Sequence, residues 1–515
     1  MNLSCILKQA AAIFPDRPAL SQNETQVTYR KLDAWSARVA SALFHSGIQP
    51  GDRIGICAPN SIEWVAWYFG IIRAGAVAVS FPNSARGSEL TQLIEEAKPR
   101  MIFSSPEHLK ELERMRETFD ILESVICPDG DLDDYRILKR GSCGFHPVER
   151  NRNDPCAILF TGGTTGVPKG AVLSHENILT SLYNVVFNER SKETDRALCF
   201  LPLHHVFGQI HILNATLMSG GCVELLPSFD MERILDILSR GHITKLFAVP
   251  TVYARLLGLP SLKKNLGSVR YCFSAAASMA AEMVREWMEL TGLAIHEAYG
   301  MTESASMVTY NHYHRHVIGS VGTPVGTVEV QIRDAEGKVL GIGKTGEICI
   351  RGRNIMREYL NRPKETQAVF WGDWFRSGDL GVIDEQGYLY IVDRLKDMII
   401  TGGENVYPRE IEELLYSRPE IQECAVVGLP DPEWGEKVTA FIVCRPGFQL
   451  DPKVLKDDLK SRLSSFKVPK DFQVVDELPK SPSGKILKRA LRKSQTVEHQ
   501  SPQISKTMTE SLLKD

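Results

Sequence analysis

The chain has 515 residues, of which 60 are Lys or Arg and 63 are Asp or Glu, so its formal net charge is −3. This balance gives no electrostatic case for binding nucleic acid or an anionic membrane surface, and small molecules are the expected partners. Hydrophobic residues (43%) and charged residues (24%) occur at the frequencies typical of soluble globular proteins, and the length predicts more than one domain.

The beginning of the chain predicts a short amphipathic helix in a cytoplasmic protein. It has neither the basic stretch nor the long apolar stretch of a secretory leader, and no apolar run approaches the roughly 20 residues of a membrane-spanning helix. The 11 cysteines are scattered and never form a Cys-x-x-Cys pair, so we expect buried free thiols rather than disulfides or a metal cluster.

Residues 28–100 alternate a helical periodicity with short apolar strands, which is typical of α/β units with parallel strands. The same rhythm returns at 245–250 and at 268–276, where each strand leads into a helical stretch through small residues. From about residue 325 the pattern changes to short β segments with turn signals. This change predicts a small antiparallel or barrel-like section that closes the large domain.

A second change of pattern, between Asp393 and Lys396, predicts a domain boundary. After it a helix begins at Pro408, a residue suited to the first helical position, and two apolar strands and another helix follow. The expected organisation is an N-terminal α/β domain (1–393), a hinge (394–396), a small mobile α+β domain (397–493) and a disordered tail (494–515).

The most informative segment is a Gly- and Thr-rich stretch that follows an apolar strand. It consists of Thr161, Gly162, Gly163, Thr164, Thr165 and Gly166, with Lys169 shortly after. Glycines let backbone N–H groups approach a ligand, threonine hydroxyls donate hydrogen bonds and lysine adds positive charge, which together suit a polyphosphate. The segment is not a Walker A loop, because Pro168 precedes the lysine and a second strand follows it. A flexible hairpin is the alternative interpretation.

Four further motifs follow along the chain. They are Tyr299-Gly-Met-Thr-Glu303, Ser377-Gly-Asp-Leu380, Asp393-Arg-Leu-Lys-Asp397 with Thr401-Gly-Gly-Glu-Asn-Val-Tyr-Pro408, and Pro479-Lys-Ser-Pro-Ser-Gly-Lys-Ile486. Taken alone, the motifs with glycine have a surface turn as the alternative interpretation. For the C-terminal motif, the alternative is a group of solvated lysines. In this order, together with the Gly/Thr-rich segment, they resemble the adenylate-forming superfamily, which includes acyl-CoA synthetases, luciferases and peptide-synthetase adenylation domains. The resemblance covers residues 10–490, and agreement across five motifs makes it specific.

The resemblance implies which residues handle the nucleotide. The implied ATP- and AMP-binding residues are Thr161, Gly162, Gly163, Thr164, Thr165, Gly166, Lys169, Ala276, Glu297, Ala298, Tyr299, Thr302, Asp379, Arg394 and Lys485. Among these, Asp379 would accept hydrogen bonds from both ribose hydroxyls. This chain has Gly162 where the family usually has serine, which removes one hydroxyl contact to the phosphates.

The resemblance also implies a division of catalytic roles. Lys485, Thr302, Glu303 and His205 form the implied catalytic set. Glu303 would help to hold Mg²⁺, since this cation, when shared with phosphates, needs only one or two protein carboxylates. Lys485 would stabilise charge during adenylation, and Lys396 would be the hinge of the small domain. Gly402 and Gly403 would line the tunnel for the coenzyme A thiol.

The acid would bind next to the nucleotide, between the two domains. The implied acyl pocket consists of His205, Val249, Tyr253, Ala276, Ala298, Gly300 and Met301. We expect His205 to orient or gate the substrate rather than act as a base, because a carboxylic acid is already ionised at neutral pH.

The acyl-pocket segments contain no Asp for a substrate ammonium and no Arg or Lys for a second carboxylate, which predicts an uncharged monocarboxylic acid. A medium- or long-chain fatty acid is favoured, because each buried CH₂ contributes up to about 0.8 kcal/mol without a special polar group. An aryl acid is the alternative.

The expected activity is therefore an ATP- and Mg²⁺-dependent ligase that forms an acyl-adenylate and transfers the acyl group to coenzyme A. An acyl carrier protein is the alternative acceptor, and a luciferase-like oxidation or a catalytically silent binding protein is a more remote one. His312, His314 and His316 alternate as metal ligands on a strand would, but no Cys or carboxylate cluster accompanies them, so a solvated loop is the expected structure.

Overall fold

A computed structural model of the chain describes residues 1–127, 141–161, 168–481 and 485–492. The chain divides into two compact units, Met1–Ile391 and Val392–Asp515. The first unit mixes parallel sheets, helices and an antiparallel sheet, and the second is a small α+β unit. This architecture confirms the expected fold class, while the exact domain limits remain predictions.

The helices begin and end as follows within the described residues. They are α1 (Cys5–Ile13), α2 (Tyr29–His45), α3 (Ile62–Arg73), α4 (Gly87–Ala97), α5 (Pro106–Thr118), α6 (His175–Asn188), α7 (Ala215–Met218), α8 (Met231–Ser239), α9 (Pro250–Leu257), α10 (Leu262–Asn265), α11 (Ala281–Thr291), α12 (Pro363–Ala368), α13 (Pro408–Tyr416) and α14 (Pro452–Arg462), with a π-helix at Phe207–Asn214 and a 3₁₀ turn at Thr302–Ser304.

The first 22 strands lie in the first unit, and β23 includes residues of both units. They are β1 (Pro18–Gln22), β2 (Thr25–Thr28), β3 (Arg53–Cys57), β4 (Val77–Ser80), β5 (Met101–Ser104), β6 (Ser124–Ile126), β7 (Pro155–Thr161), β8 (Lys169–Ser174), β9 (Arg196–Cys199), β10 (Cys222–Leu225), β11 (Lys245–Ala248), β12 (Tyr271–Ser274), β13 (Ile295–Glu297), β14 (Gly300–Met301), β15 (Ser306–Met307), β16 (Thr309–Tyr310), β17 (Thr323–Pro324), β18 (Val328–Arg333), β19 (Gly346–Gly352), β20 (Glu358–Tyr359), β21 (Phe370–Trp371), β22 (Trp374–Ile383) and β23 (Leu389–Arg394). The strands that follow are β24 (Ile399–Thr401), β25 (Glu404–Val406), β26 (Ile421–Asp431), β27 (Gly435–Cys444) and β28 (Asp471–Val474).

Two seven-stranded sheets form the centre of the first unit. Their strand orders are β13-β12-β11-β9-β10-β1-β2 and β20-β8-β7-β4-β3-β5-β6. Neighbouring strands are parallel except for the pairs β1–β2, β7–β8 and β8–β20. This arrangement agrees with the α/β rhythm of the sequence, because parallel neighbours require a crossover connection, usually a helix.

The predicted antiparallel section is the sheet β18-β19-β22-β21, to which β23 adds beside β22. In the second unit, the sheet order is β25-β24-β27-β26, with β28 parallel to β27. Its first helix, α13, has Pro408 in its first turn, as the sequence predicts, and buries Ile411 and Leu415. Each unit therefore has its own buried apolar core.

Seven of the 11 cysteines are buried free thiols, as the sequence predicts. Burial raises the pKa of several of them, to about 12 for Cys57 and Cys199. In the part of the chain that the structure describes, no helix is both long and apolar enough to cross a bilayer.

Candidate active site

The parallel strands of the first sheet explain why distant acyl-pocket segments meet. Strands β9, β11, β12 and β13 are neighbours, and the segments that contain His205, Val249, Ala276 and Ala298 follow their carboxyl ends. In open α/β sheets, the carboxyl ends of parallel strands form the crevice in which ligands bind. The sheet therefore brings together segments of the candidate site that are about 100 residues apart in sequence.

Two of the predicted nucleotide residues touch each other directly. The Tyr299 hydroxyl donates a hydrogen bond of 2.7 Å to Oδ2 of Asp379, and both residues are buried. The backbone N–H of Asp379 donates to Oγ of Ser377, where the pairing of β22 with β19 is interrupted by a bulge. A tyrosine ring and a carboxylate in contact suit a nucleoside, since one offers a stacking face and the other accepts hydrogen bonds from a diol.

The backbone around Gly300 is crowded and strained. Strands β14 and β15 pair Gly300 with Met307 and Met301 with Ser306. A Cβ at Gly300 would lie 1.6 Å from the carbonyl oxygen of Ser306, so only glycine fits. Ser306 (φ 108°) and Ala276 (φ 72°) both have positive φ, which is uncommon for residues other than glycine. Such strain clusters at functional sites, where the surrounding structure must maintain it.

The predicted Mg²⁺ ligand and the predicted phosphate lysine are linked through a residue that the motifs did not indicate. The Tyr359 hydroxyl donates a hydrogen bond of 2.7 Å to Oε1 of Glu303. The Lys169 ammonium lies 5.0 Å from the centre of the Tyr359 ring and forms an ion pair of 2.5 Å with Glu365. Hydrogen bonds from Lys169, which has the larger effect, and from Arg362 hold the pKa of Glu365 below its usual value. Tyr359 therefore contacts both sides of the candidate phosphate site.

Strand pairing fixes this arrangement. Strand β8 begins at Lys169 and pairs with β7 so that Lys169 faces Thr161, and β20 pairs Tyr359 with Ala171. This hairpin confirms the prediction that a second strand follows the Gly/Thr-rich segment. Gly162, Gly163, Thr164, Thr165 and Gly166 lie outside the described residues, and their roles remain predictions.

Two acyl-pocket residues have partners that fix their orientation. Nδ1 of His205 accepts a hydrogen bond from the backbone N–H of Phe207, while partial burial and the neighbouring His205 lower the pKa of His204 to about 3. The hydroxyl of the buried Tyr253 donates to the carbonyl of Phe273 over 3.0 Å and lies 3.2 Å from the carbonyl of Leu246. Tyr253 thus ties β11 to β12, and its direct contact with a substrate remains a prediction.

A buried polar chain near these segments was not predicted from sequence. Nε2 of His211, in the π-helix, lies 2.7 Å from Oε1 of Glu189, and its Nδ1 lies 3.0 Å from Oγ of Ser306. The Lys245 ammonium donates to the other Glu189 oxygen over 2.8 Å. The sequence signal was a charged or titratable residue in an otherwise apolar run, as for Lys245, which is the first residue of β11.

The second unit holds the remaining predicted residues. Gly402 (φ 58°) and Gly403 (φ 84°) form the two-residue turn between β24 and β25, and a turn with φ above zero at both positions favours glycine. Lys396 lies in the turn between β23 and β24, where the N–H groups of Asp397 and Met398 both donate to the carbonyl of Arg394. The backbone N–H of Lys485 donates to Oγ of Ser481, while the Lys485 carbonyl accepts from the N–H of Ser481.

The three alternating histidines contact three different groups. His312 lies 2.6 Å from Oγ1 of Thr323, His314 contacts Arg190, and His316 lies 2.9 Å from the carbonyl of Ile295. In the described ranges, no three His, Cys, Asp or Glu side chains converge as metal ligands would.

Comparison with known proteins decides the family. The model of the AMP-binding enzyme family matches residues 7–360, and the model of the AMP-binding enzyme C-terminal domain matches residues 410–485. The chain belongs to the AMP-binding enzyme family. It is an AMP-forming acid–thiol ligase, and the ligases of this family use ATP and coenzyme A as substrates.

Individual relatives cover nearly the whole chain. A feruloyl-CoA synthase from Amycolatopsis is 34% identical, over 94% of this chain and 97% of that protein. A long-chain-fatty-acid–CoA ligase of Bacillus subtilis is 32% identical, over 97% and 95%. The crystal structure of ATP-bound MatB from Rhodopseudomonas palustris superimposes with a TM-score of 0.90 at 35% identity, over 96% of this chain and 99% of that one.

The contact between Tyr359 and Glu303 leads to a prediction. Tyr359→Phe removes the hydroxyl that orients Oε1 of Glu303, and a hydrogen bond to a charged group contributes about 1.5–3 kcal/mol. We expect the KM for ATP in acid-dependent pyrophosphate exchange to rise about tenfold or more. The matched control is Tyr388→Phe, which removes a hydroxyl that donates to the carbonyl of Arg315. An unchanged KM in Tyr359→Phe, or an equal rise in both variants, would contradict the role.

Proposed function

We propose that this ligase activates an aryl monocarboxylic acid and transfers it to coenzyme A in the cytoplasm. The observation that carries the proposal is a cluster of aromatic rings beside the predicted acyl-pocket residues. Phe207, Phe247 and Phe273 surround the His211 ring, with centroid distances of 5.4, 5.7 and 4.4 Å. Aromatic rings pack favourably against another flat ring, edge to face or offset. Similarity to the feruloyl-CoA synthase supports the same class.

A medium- or long-chain fatty acid, which the sequence favours, is the second candidate. Similarity to the long-chain-fatty-acid–CoA ligase of Bacillus subtilis supports it. The aryl acid is preferred because a flat ring can pack edge to face or offset against the aromatic cluster, whereas an alkyl chain gains only the burial of its apolar surface.

In the proposed reaction, a carboxylate oxygen of the acid attacks the α-phosphorus of ATP, so that an acyl-adenylate forms and pyrophosphate leaves. The sulfur of coenzyme A then attacks the acyl carbon, AMP leaves, and the thiol proton passes to solvent. Tyr299 and Asp379 would bind the nucleoside, Lys169 and the Gly/Thr-rich segment would bind the phosphates, and Lys485 would offset the charge of the displacement.

Glu303 fits a shared Mg²⁺ ion. It offers one carboxylate, which Tyr359 holds in place, and a Mg²⁺ ion that also binds phosphates needs only one or two protein carboxylates. When bound, the ion neutralises part of the phosphate charge. Glu303 would be its protein ligand, and Tyr359 would hold the Glu303 carboxylate in place.

The catalytic efficiency across a panel of acids tests the proposal. We expect AMP release with coenzyme A to be most efficient for a benzoate- or cinnamate-type acid, and acids with a second carboxylate or an α-ammonium to react poorly. If catalytic efficiency instead rose steadily with the length of straight-chain acids, and every aryl acid reacted less efficiently than these, the substrate would be a fatty acid. The same reactions with a holo acyl carrier protein in place of coenzyme A identify the acceptor. If the acyl group were transferred faster to the carrier protein than to coenzyme A, the carrier protein would be the acceptor.

A further inference from the structure

Ion pairs anchor the C-terminal segment (485–492) and the residues just before it. Ahead of the segment, the Lys480 ammonium forms an ion pair of 2.6 Å with Glu423 of β26. Within it, the Lys488 ammonium lies 2.8 Å from Oε1 of Glu412 in α13. The predicted adenylation lysine is the first residue of the segment, so these contacts attach the chain on both sides of it to the second unit.

Lys488 is attracted by two carboxylates. The side chains of Lys488 and Glu412 are 19% and 15% exposed, and Asp393 is buried. Burial opposes the charge of the ammonium, but Glu412 and then Asp393 raise the pKa of Lys488 above its usual value. Burial also raises the pKa of Asp393, and Lys488 counters this effect. One ammonium therefore compensates two carboxylates that are shielded from water, and its removal would leave both uncompensated.

Asp393 links this cluster of charges to the predicted hinge. It lies in β23 and accepts a hydrogen bond of 2.9 Å from the backbone N–H of Arg409, in the first turn of α13. Further along the chain, Asp397 forms an ion pair of 3.2 Å with Arg492. The C-terminal segment is therefore linked to carboxylates on both sides of Lys396.

The carboxylates around Lys488 also hold the backbone of the second unit together. Oε1 of Glu412 accepts a hydrogen bond of 2.7 Å from the backbone N–H of Val426, which ties α13 to β26. An exposed ion pair contributes little, because water and salt screen it. This pair is largely shielded, and its acceptors are fixed by backbone hydrogen bonds, so Lys488 has a defined position. Lys485 lies one helical turn's length of chain before it.

We propose that Lys488 is a positioning residue for adenylation, because its ion pair with Glu412 and its attraction to Asp393 hold the C-terminal segment against α13 and β23. Lys488 acts through Lys485, whose role in adenylation belongs to the proposed function, so the inference rests on that function. Displacement of a reacting group by about 1 Å can cost about a hundredfold in rate. Loss of Lys488 should therefore lower kcat for adenylation and leave the binding of ATP nearly unchanged.

Lys488→Met tests the inference, because methionine keeps an unbranched side chain but removes the charge. We expect kcat for acid-dependent pyrophosphate exchange to fall about tenfold to a hundredfold, while the KM for ATP changes less than about threefold. Transfer from a supplied acyl-adenylate to coenzyme A should remain close to normal. Lys488→Arg keeps the charge and should restore most of the exchange rate.

The double variant Lys488→Met/Glu412→Gln separates positioning from stability. Glutamine keeps an oxygen that accepts from the N–H of Val426 but removes one of the two uncompensated charges. We expect the melting temperature to recover toward its normal value, while exchange stays as low as in Lys488→Met. The matched control is Lys460→Met, which removes an exposed ion pair with Asp457 in α14 and should change neither half-reaction.

The outcomes distinguish this inference from the proposed function. Normal exchange in Lys488→Met, together with lost exchange in Lys485→Ala, would overturn the role of Lys488 alone. Normal exchange in Lys485→Ala would overturn both. A purely structural role would lower both half-reactions in Lys488→Met and restore exchange along with melting temperature in the double variant, and this result would also overturn the inference. If Lys488→Met does not fold, the double variant provides the same test, because its charges are better balanced.

Discussion

Lys485→Ala is expected to abolish most of the first half-reaction and leave the second intact. The motif around Lys485 implies that its ammonium stabilises the charge of the displacement at the α-phosphorus. Removal of one preorganised group of this kind typically costs about a hundredfold to a thousandfold in rate. Acid-dependent exchange of pyrophosphate into ATP measures this loss. Transfer from a supplied acyl-adenylate to coenzyme A should continue at close to the normal rate.

A lysine outside the motif provides the comparison. Lys453→Ala removes an exposed side chain from the first turn of α14 in the same unit, and both half-reactions should be unaffected. If exchange survives in Lys485→Ala, the role in adenylation is wrong. If both half-reactions fall together, the lysine supports folding or a step common to both.

Lys396→Pro is expected to have the opposite effect. We propose that the second unit reorients about Lys396 between the two half-reactions. Proline fixes its own φ and restricts the residue before it, here Leu395, in the turn between β23 and β24. Adenylate should still form, while thioester formation falls by about a hundredfold, the scale of a misplaced reacting group.

Lys396→Ala is the matched control, because it removes the ammonium but keeps the rotational freedom of the backbone. It should support both half-reactions. Loss of thioester formation in Lys396→Ala as well would indicate direct catalysis by the side chain. Equal loss of both half-reactions in Lys396→Pro, with a lower melting temperature, would indicate misfolding instead.

The sequence by itself determined the fold class and the family. Helical periodicity, strand alternation and the position of Pro408 depend on local chemistry, so the expected helices and strands appear where the residues predict them. The five motifs are likewise local, and their order was sufficient to identify the adenylate-forming superfamily. The same locality explains why the turn at Gly402 and Gly403 is visible in sequence while its role in the thiol tunnel remains a prediction.

The tertiary structure alone decided which distant side chains meet. Tyr359 contacts Glu303 across 56 positions, and His211 contacts Ser306 across 95 and Glu189 across 22. No local pattern predicts such pairs, because they depend on which strand ends are adjacent and on how each backbone is strained. The preference for a fatty acid came from the apolar character of short segments. The buried polar chain of Glu189, His211 and Lys245 exists only once the sheet has brought its members together.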